Sequence, residues 1–363
     1  MTQAANQKQF RHPPKQAVNG IVLLNKPAGV SSNGILQKVR RLFNAKKAGH
    51  TGALDPFATG LLPICFGEAT KVSGLLLDSD KGYRATLKLG EQSDTGDTEG
   101  EIIHTKQVPV LSDALINQTL AQFVGDIEQI PPMYSALKHQ GKPLYWYARQ
   151  GIEIERPARP IKIFSLRLIS WSQPKNATTS EVIFDVLCSK GTYVRTLGED
   201  IAKALGTLGH LTALHRIQSG SLTADQMLSY EQMEAALKVE DAQCPKTPEN
   251  IQAKEQAKNA LLLPVDLPLA HLQRIDLVTE QAKWLRNGGH LRLPKPDTDL
   301  VRFYNPEGIC LGVGEWLHEH ERIKPKRLFN LPELDRVNEN SAESKTEDES
   351  KPNLKSNTQG ESQ

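Results

Sequence analysis

Cysteine is scarce in this 363-residue chain: Cys65, Cys188, Cys244 and Cys310 stand far apart and form no C-x-x-C pair or Cys/His spacing. That argues against a disulfide framework, and no metal site is expected; the thiols read as small apolar core residues kept reduced. Long apolar runs are missing too, none approaching the roughly 18 residues a membrane span needs. Residues 1–18 lack the apolar core of a secretory signal, so a cytoplasmic location and no membrane partner are the expectations. Charge of one sign is nearly absent from the whole, at a net +2, but not from its parts. Residues 331–363 carry eight acids and four bases, a net −4, which leaves +6 on the remainder. A moderately basic body with an acidic tail fits a nucleic-acid partner without demanding one.

What is present is a globular composition, 38% hydrophobic and 24% charged, long enough for about two domains. Residues 1–19 read as a disordered basic arm, with Lys8, Arg11 and Lys15 and no acid in the first eighteen. Order begins with an apolar strand at Ile21–Leu24, a turn through Asn25–Gly29, and Ser31 and Ser32 offering an N-cap to a helix through Arg41. Helix is expected over 67–77, 112–123 and 196–205; strands over 81–89, 160–171 and 181–188; a polar loop over 91–101; and extended chain over 130–138. Strands adjacent in sequence favour a mixed α/β (α+β) fold with a largely antiparallel sheet and flanking helices over residues 20–240. Residues 241–260 read as a polar linker or excursion. A small β-rich unit over 261–330 follows, with a helix at 278–287 stopped by Gly288-Gly289 and short strands near Leu291, 300–304 and 309–315. Residues 331–363 read as a disordered acidic tail.

The most informative stretch is Gly49-His50-Thr51-Gly52-Ala53-Leu54-Asp55-Pro56-Phe57-Ala58-Thr59-Gly60-Leu61-Leu62-Pro63. Glycines and prolines free or restrict the backbone at set points, and Leu54, Phe57, Leu61 and Leu62 are too apolar for a free surface turn. Asp-Pro is also a common turn pair, so a rigid turn and a nucleophile both remain open at this point. A carboxylate near its reference pKa of about 3.9 is ionised at neutral pH unless burial dominates, and can attack without a base beside it.

Further segments turn that pair of readings into one. Leu24-Asn25-Lys26-Pro27-Ala28-Gly29-Val30-Ser31-Ser32, the Asp55 stretch and Lys81-Gly82-Tyr83-Arg84 come first, in that order. Tyr134-Ser135-Ala136-Leu137-Lys138, with Gly141, Lys142, Tyr145, Arg149 and Gly151, comes next, followed by residues 189–196 with Tyr193 and Arg195. Together they resemble the bacterial tRNA pseudouridine synthase B family, and the C-terminal unit is similar to the PUA RNA-binding module of that family. One segment departs from the pattern: in Leu214-His215-Arg216-Ile217-Gln218-Ser219-Gly220-Ser221, His215 and Ser221 replace the arginine and aromatic common in relatives.

The resemblance implies isomerisation of uridine-55 in the TΨC arm of tRNA, by a chain that needs no cofactor and no protein partner and acts as a monomer. It implies Asp55 as catalytic carboxylate, Arg195 as its counter-ion, and Tyr83 as the residue stacked on a flipped-out base. Tyr193 and Leu214 would complete the pocket, and His50 would fill the space the base leaves. Lys26, Lys71, Lys138, Lys142, Arg149 and Lys190 are candidates for phosphate contacts. Lys283, Arg286, Arg292, Lys324, Lys326 and Arg327 would grip the acceptor-stem side. An RNA-folding protein with secondary catalysis and an aspartate-nucleophile hydrolase are the rival classes.

Overall fold

The computed structural model describes residues 14–175, 178–238 and 248–334. Most of the expected basic arm, the stretch 241–247 of the expected linker, Cys244, and the acidic tail from residue 335 lie outside the described residues. The chain divides between His271 and Leu272 into two compact units. The first extends past the expected boundary at 260 because Leu263 exchanges two backbone hydrogen bonds with Ile21, of 2.9 and 2.8 Å.

The first unit runs β1 (Gly20–Lys26), α1 (Ser32–Leu42), β2 (Ala48–His50), β3 (Thr59–Phe66), α2 (Ser73–Leu77), β4 (Lys81–Leu89), β5 (Glu91–Ser93) and β6 (Ile102–Thr105). It continues through α3 (Asp113–Ala121), β7 (Gly125–Gln129), β8 (Lys138–His139), β9 (Lys142–Pro143), α4 (Leu144–Ala148), β10 (Arg159–Ser172), β11 (Ser180–Cys188) and α5 (Val194–Ala204). It closes with β12 (Gly209–Ser219), β13 (Leu222–Thr223), α6 (Tyr230–Lys238) and α7 (Pro248–Leu261).

A nine-stranded sheet in the order β1-β3-β12-β4-β11-β10-β7, with β2 and β13 on β3 and β12, forms the scaffold. Every pairing in it is antiparallel except β3 with β12. The strand β4 alternates as expected, its Ala85, Leu87 and Leu89 buried on the face where α5 places Val194, Leu197 and Ile201. The α1 helix starts on Ser31, whose Oγ accepts from Gly34 N at 3.0 Å, a Ser N-cap worth about 1 kcal/mol.

Three expectations differ from what is found. The Gly49–Pro63 stretch is not all loop, because its ends are β2 and β3. The β3 segment Thr59–Phe66 is buried along nearly its whole length between β1 and β12, so it shows no alternation to read. Residues 130–137 are irregular rather than extended, and residues 248–260 of the expected linker lie in α7. Pro248 opens that helix, where its missing N–H costs nothing, and a Glu/Gln/Ala/Lys run propagates it.

The second unit holds β14 (Gln273–Asp276), α8 (Thr279–Arg286), β15 (Leu300–Tyr304), β16 (Cys310–Leu317) and β17 (Arg322–Leu328), with strand order β14-β15-β16-β17. Val301, Phe303, Leu311, Val313 and Ile323 are among its buried sheet residues. Cys65, Cys188 and Cys310 are buried thiols, and burial pushes those of Cys65 and Cys188 up to about 12. Among the described residues no helix is long and apolar enough to cross a membrane.

Candidate active site

The loop between β2 and β3 presents Asp55, and its shape is fixed from behind by the first motif. Lys26, at the end of β1, is fully buried, and its Nζ donates to the carbonyls of Pro56 (3.0 Å), Ala58 (2.7 Å) and Pro27 (3.0 Å). Gly29 N donates to Pro56 O at 2.9 Å, while Ser32 Oγ both donates to Leu54 O (3.0 Å) and accepts from Leu54 N (2.8 Å). Ala58 N closes a turn onto Asp55 O at 3.1 Å. The backbone groups of Leu54, Pro56 and Ala58 that flank Asp55 thus have partners, which restricts the freedom a loop of this composition would otherwise keep.

Lys26 is therefore a correction to the sequence reading. Its ammonium is spent on carbonyls inside the protein and is not free for RNA phosphate. Burial lowers its pKa to about 8, against the opposing pull of Asp55. A cation that bonds three carbonyls shapes the loop more firmly than a water could.

Asp55 faces the N-terminus of α5. Arg195, only 5% exposed, places Nε 3.0 Å from Asp55 Oδ2 and Nη1 3.2 Å from Asp97 Oδ2. Its Nη1 also donates to Thr95 O (2.8 Å) and its Nη2 to Tyr134 O (2.7 Å). The side chain of Asp55 keeps 42% of its surface open while that of Arg195 keeps 6%, so the carboxylate looks outward and the guanidinium stays behind it. Burial nevertheless pushes the Asp55 carboxyl above its ordinary value; Arg195 opposes that, Asp97 adds to it and Lys26 opposes it. Arg195 thus limits a shift that burial dominates.

Asp97 is a member of this site that sequence reasoning missed. It lies between β5 and β6 in a stretch read as a polar loop, yet it is 2% exposed and its Oδ1 accepts from Thr95 Oγ1 (2.6 Å) and Glu99 N (2.9 Å). The signal was the density of turn-forming residues in Ser93-Asp94-Thr95-Gly96-Asp97-Thr98-Glu99-Gly100, with Gly96 at φ +73°.

The remaining expected residues gather unevenly. Tyr83 is at the start of β4, and burial pushes its phenol up while Arg216 opposes the shift. Tyr193 caps α5; its backbone N–H donates to Gln129 Oε1 (2.8 Å) and its carbonyl accepts from Gln129 Nε2 (3.1 Å). Burial raises its phenol as well, and Ser135 beside it opposes the shift. His50 is in β2; burial and then Arg216 lower its pKa, and its buried Nδ1 has no hydrogen-bond partner among the described residues. Leu214 is 6% exposed within the main core cluster. His215 directs Nδ1 to Thr59 Oγ1 at 2.8 Å and pairs in register with Arg84, whereas Arg216 beside it is buried. Ser221 is exposed just before β13.

The basic candidates are less uniform than expected. Lys71 pairs with Glu68 at 2.6 Å and Lys190 with Asp78 at 2.8 Å. Lys142 sits 3.5 Å over the Trp146 ring and Arg149 is 5.5 Å from that of Tyr145, while Lys138 is exposed. In the second unit, Lys324 and Lys326 both pair with Glu315, at 3.2 and 2.7 Å. Arg286 donates to Leu334 O at 3.1 Å, Arg327 donates to Lys326 O at 2.9 Å, Lys283 is 3.9 Å from Glu280, and Arg292 is exposed.

Two predictions test this geometry. Lys26→Met leaves buried carbonyls without a donor and lets the loop shift, so turnover should fall roughly 10²-fold with a lower melting temperature. Unchanged turnover in that variant would show that the loop holds its shape without the ammonium. Because Arg195 lowers the Asp55 pKa, Arg195→Lys or Arg195→Met should move the acid limb of the kcat/KM profile to higher pH. An acid limb that stays in place would remove Arg195 as the group that tunes Asp55.

Family models agree with this reading along most of the chain. Residues 40–194 match "TruB family pseudouridylate synthase (N terminal domain)", 195–270 match "tRNA pseudouridylate synthase B C-terminal domain", and 274–329 match "Pseudouridine synthase II TruB, C-terminal". The "tRNA pseudouridine synthase B" of Hydrogenovibrio crunogenus is 58% identical over 87% of this chain and 95% of its own length. The protein of the same name from Neisseria meningitidis serogroup B is 47% identical over 88% and 96%. Among solved structures, one titled "Crystal Structure of a Cbf5-Nop10-Gar1 Complex" superposes with a TM-score of 0.61 at 22% identity, covering 86% of this chain and 84% of that one, a likeness of fold. The chain belongs to the TruB family and is a tRNA pseudouridine synthase, an isomerase that forms pseudouridine in tRNA.

Proposed function

We propose that the uridine isomerised is uridine-55 of the TΨC arm, flipped out of its folded loop into the cleft above Asp55. The observation that carries the reading is the Asp55–Arg195 pair, in which an outward-looking carboxylate is backed by a buried guanidinium at 3.0 Å. The reaction breaks N1–C1′, turns the uracil, forms C5–C1′ and moves the C5 proton to N1, so atoms and electrons balance within the substrate. Asp55 supplies the one charged group that this exchange requires.

Tyr83 stacks on the flipped base, a contact worth about 1–3 kcal/mol, against a flipping cost of a few kcal/mol. Tyr193 and Leu214 wall the pocket, and His50, held neutral by burial, enters the space the base vacates. Lys138, Lys142 and Arg149 line the RNA track, together with the exposed rings of Tyr145 and Trp146. Lys71 and Lys190 exchange their carboxylate partners for phosphate, a swap that costs little because exposed pairs are worth about 0–1 kcal/mol. The C-terminal unit holds the acceptor-stem side, with Arg292 among its contacts, and a single chain acts without a protein partner.

Asp55→Asn should abolish pseudouridine in an unmodified TΨC stem-loop while tRNA affinity is retained; unchanged modification would sink the role of Asp55. Mass analysis of the wild-type product separates the rival chemistry, since pseudouridine keeps the mass of uridine and a hydrolase releases free uracil. The same variant has a stability signature. A carboxyl whose folded pKa is raised costs nothing below its unfolded value and destabilises fully above its folded one. At neutral pH, Asp55→Asn should therefore melt no lower than the parent, and a clear drop would make Asp55 a structural ion-pair residue. Tyr83→Ala should lower turnover far more than tRNA affinity, and equal losses in both would make Tyr83 a binding residue only.

A further inference from the structure

Arg216 is a buried charge that the mechanism above does not use. It is 1% exposed, in the centre of the sheet on β12, and a guanidinium cannot shed its proton inside a protein. Among the described residues no aspartate or glutamate pairs with it. Its Nε donates to Leu61 O at 2.6 Å and its Nη2 to Gly52 O at 3.1 Å. Those two carbonyls stand on either side of Asp55, at the two stems of the loop that carries it.

The route of the side chain is built into its neighbours. Gly60 is opposite Arg216 in the parallel pairing, at φ +97°, and a Cβ there would come within 2.4 Å of the Arg216 carbonyl. A Cβ at Gly52 would lie 3.5 Å from Arg216 Nη1. Gly60 thus lets β3 approach the backbone of Arg216 closely, and Gly52, at φ +100°, lies beside its guanidinium. On its other flank Arg216 is the register partner of Tyr83 on β4, which places the two side chains on one face as cross-strand neighbours.

We propose that Arg216 is a positioning residue: it ties both stems of the Asp55 loop and donates to the Tyr83 phenol oxygen, so that the phenol O–H is left pointing into the cleft as a fixed donor. The inference rests on the roles given above to Asp55 and Tyr83, and adds the element that sets them relative to each other. Burial keeps Tyr83 a neutral phenol at physiological pH, as a donor must be. An isolated buried cation is costly to the fold, and carbonyls and a phenol offset only part of that cost. A positive field fixed beneath the base pocket is the arrangement that stabilises negative charge developing on a uracil whose N1–C1′ bond is breaking.

The experiment is a double-mutant cycle read by single-turnover rates on unmodified tRNA, with tRNA affinity and melting temperature measured for each chain. Arg216→Lys should slow the chemical step roughly 10²-fold with affinity within about threefold, and in a Tyr83→Phe background the same change should cost at most about tenfold, the share that comes from the loop stems. Equal losses in the two backgrounds would overturn the proposal, because Arg216 would then act on the loop alone. A Tyr83→Phe chain as fast as the parent would remove the role of Tyr83 itself, and the inference with it. Arg216→Gln keeps a donor without the charge and should be slower than Arg216→Lys; a chain that folds with neither replacement assigns the guanidinium to the fold only and overturns the proposal.

Discussion

The fork of Arg195 is the contact on which the site depends. One guanidinium reaches Asp55 and Asp97, and also the carbonyls of Thr95 and Tyr134. These come from three separate stretches of chain, and a planar group with five fixed donors can order all of them at once where an ammonium could not. The position of Arg195 on the first turn of α5 is set by the core residues Val194, Leu197 and Ile201, so the precision of the site derives from helix-on-sheet packing. Breaking that helix contact would disorder three loops together.

Cations are used here as internal scaffolding. Lys26 and Arg216 are both buried, and the hydrogen bonds given for them above run chiefly to carbonyls of the Asp55 loop and its stems. Each costs desolvation free energy, and each satisfies carbonyls that a Gly- and Pro-rich segment cannot pair in a regular ladder. Lys26 also favours the ionised form of the Asp55 carboxyl, which burial pushes toward protonation. At Lys26, loop shape and carboxyl charge thus depend on one buried group.

Much of the fold was legible because alternation and caps leave local marks. Strand β4, the paired β10 and β11, and α1 with its Ser31 cap follow the sequence pattern within a residue or two. Strand β12 was not legible, since His210 and Arg216 are buried polar residues that break its apolar pattern, and neither was β3, whose burial erases alternation. At the site, the loop of Asp55 announced itself by composition, and motif order supplied Tyr83, Tyr193 and Arg195. The destinations of charged side chains had no local signal. Lys26 and Lys138 look alike in sequence, and only packing decides that one is inside and the other faces solvent.

The exposure of Asp55 and its raised pKa belong to one compromise. A carboxylate sunk fully beside Arg195 would be well paired but unable to meet a sugar or a base, whereas one left in water would be ionised but weakly directed. Holding it on a loop stiffened from below, with one side open, accepts a partly desolvated charge in exchange for direction. In the proposed reading a flipped nucleotide displaces water from the open side of Asp55, so charge that develops in the substrate meets the carboxylate at short range with little screening. With that role for Asp55, the interactions that cost stability in the free protein are the ones that strengthen as the glycosidic bond opens, which is the condition for a site that favours the transition state over the substrate.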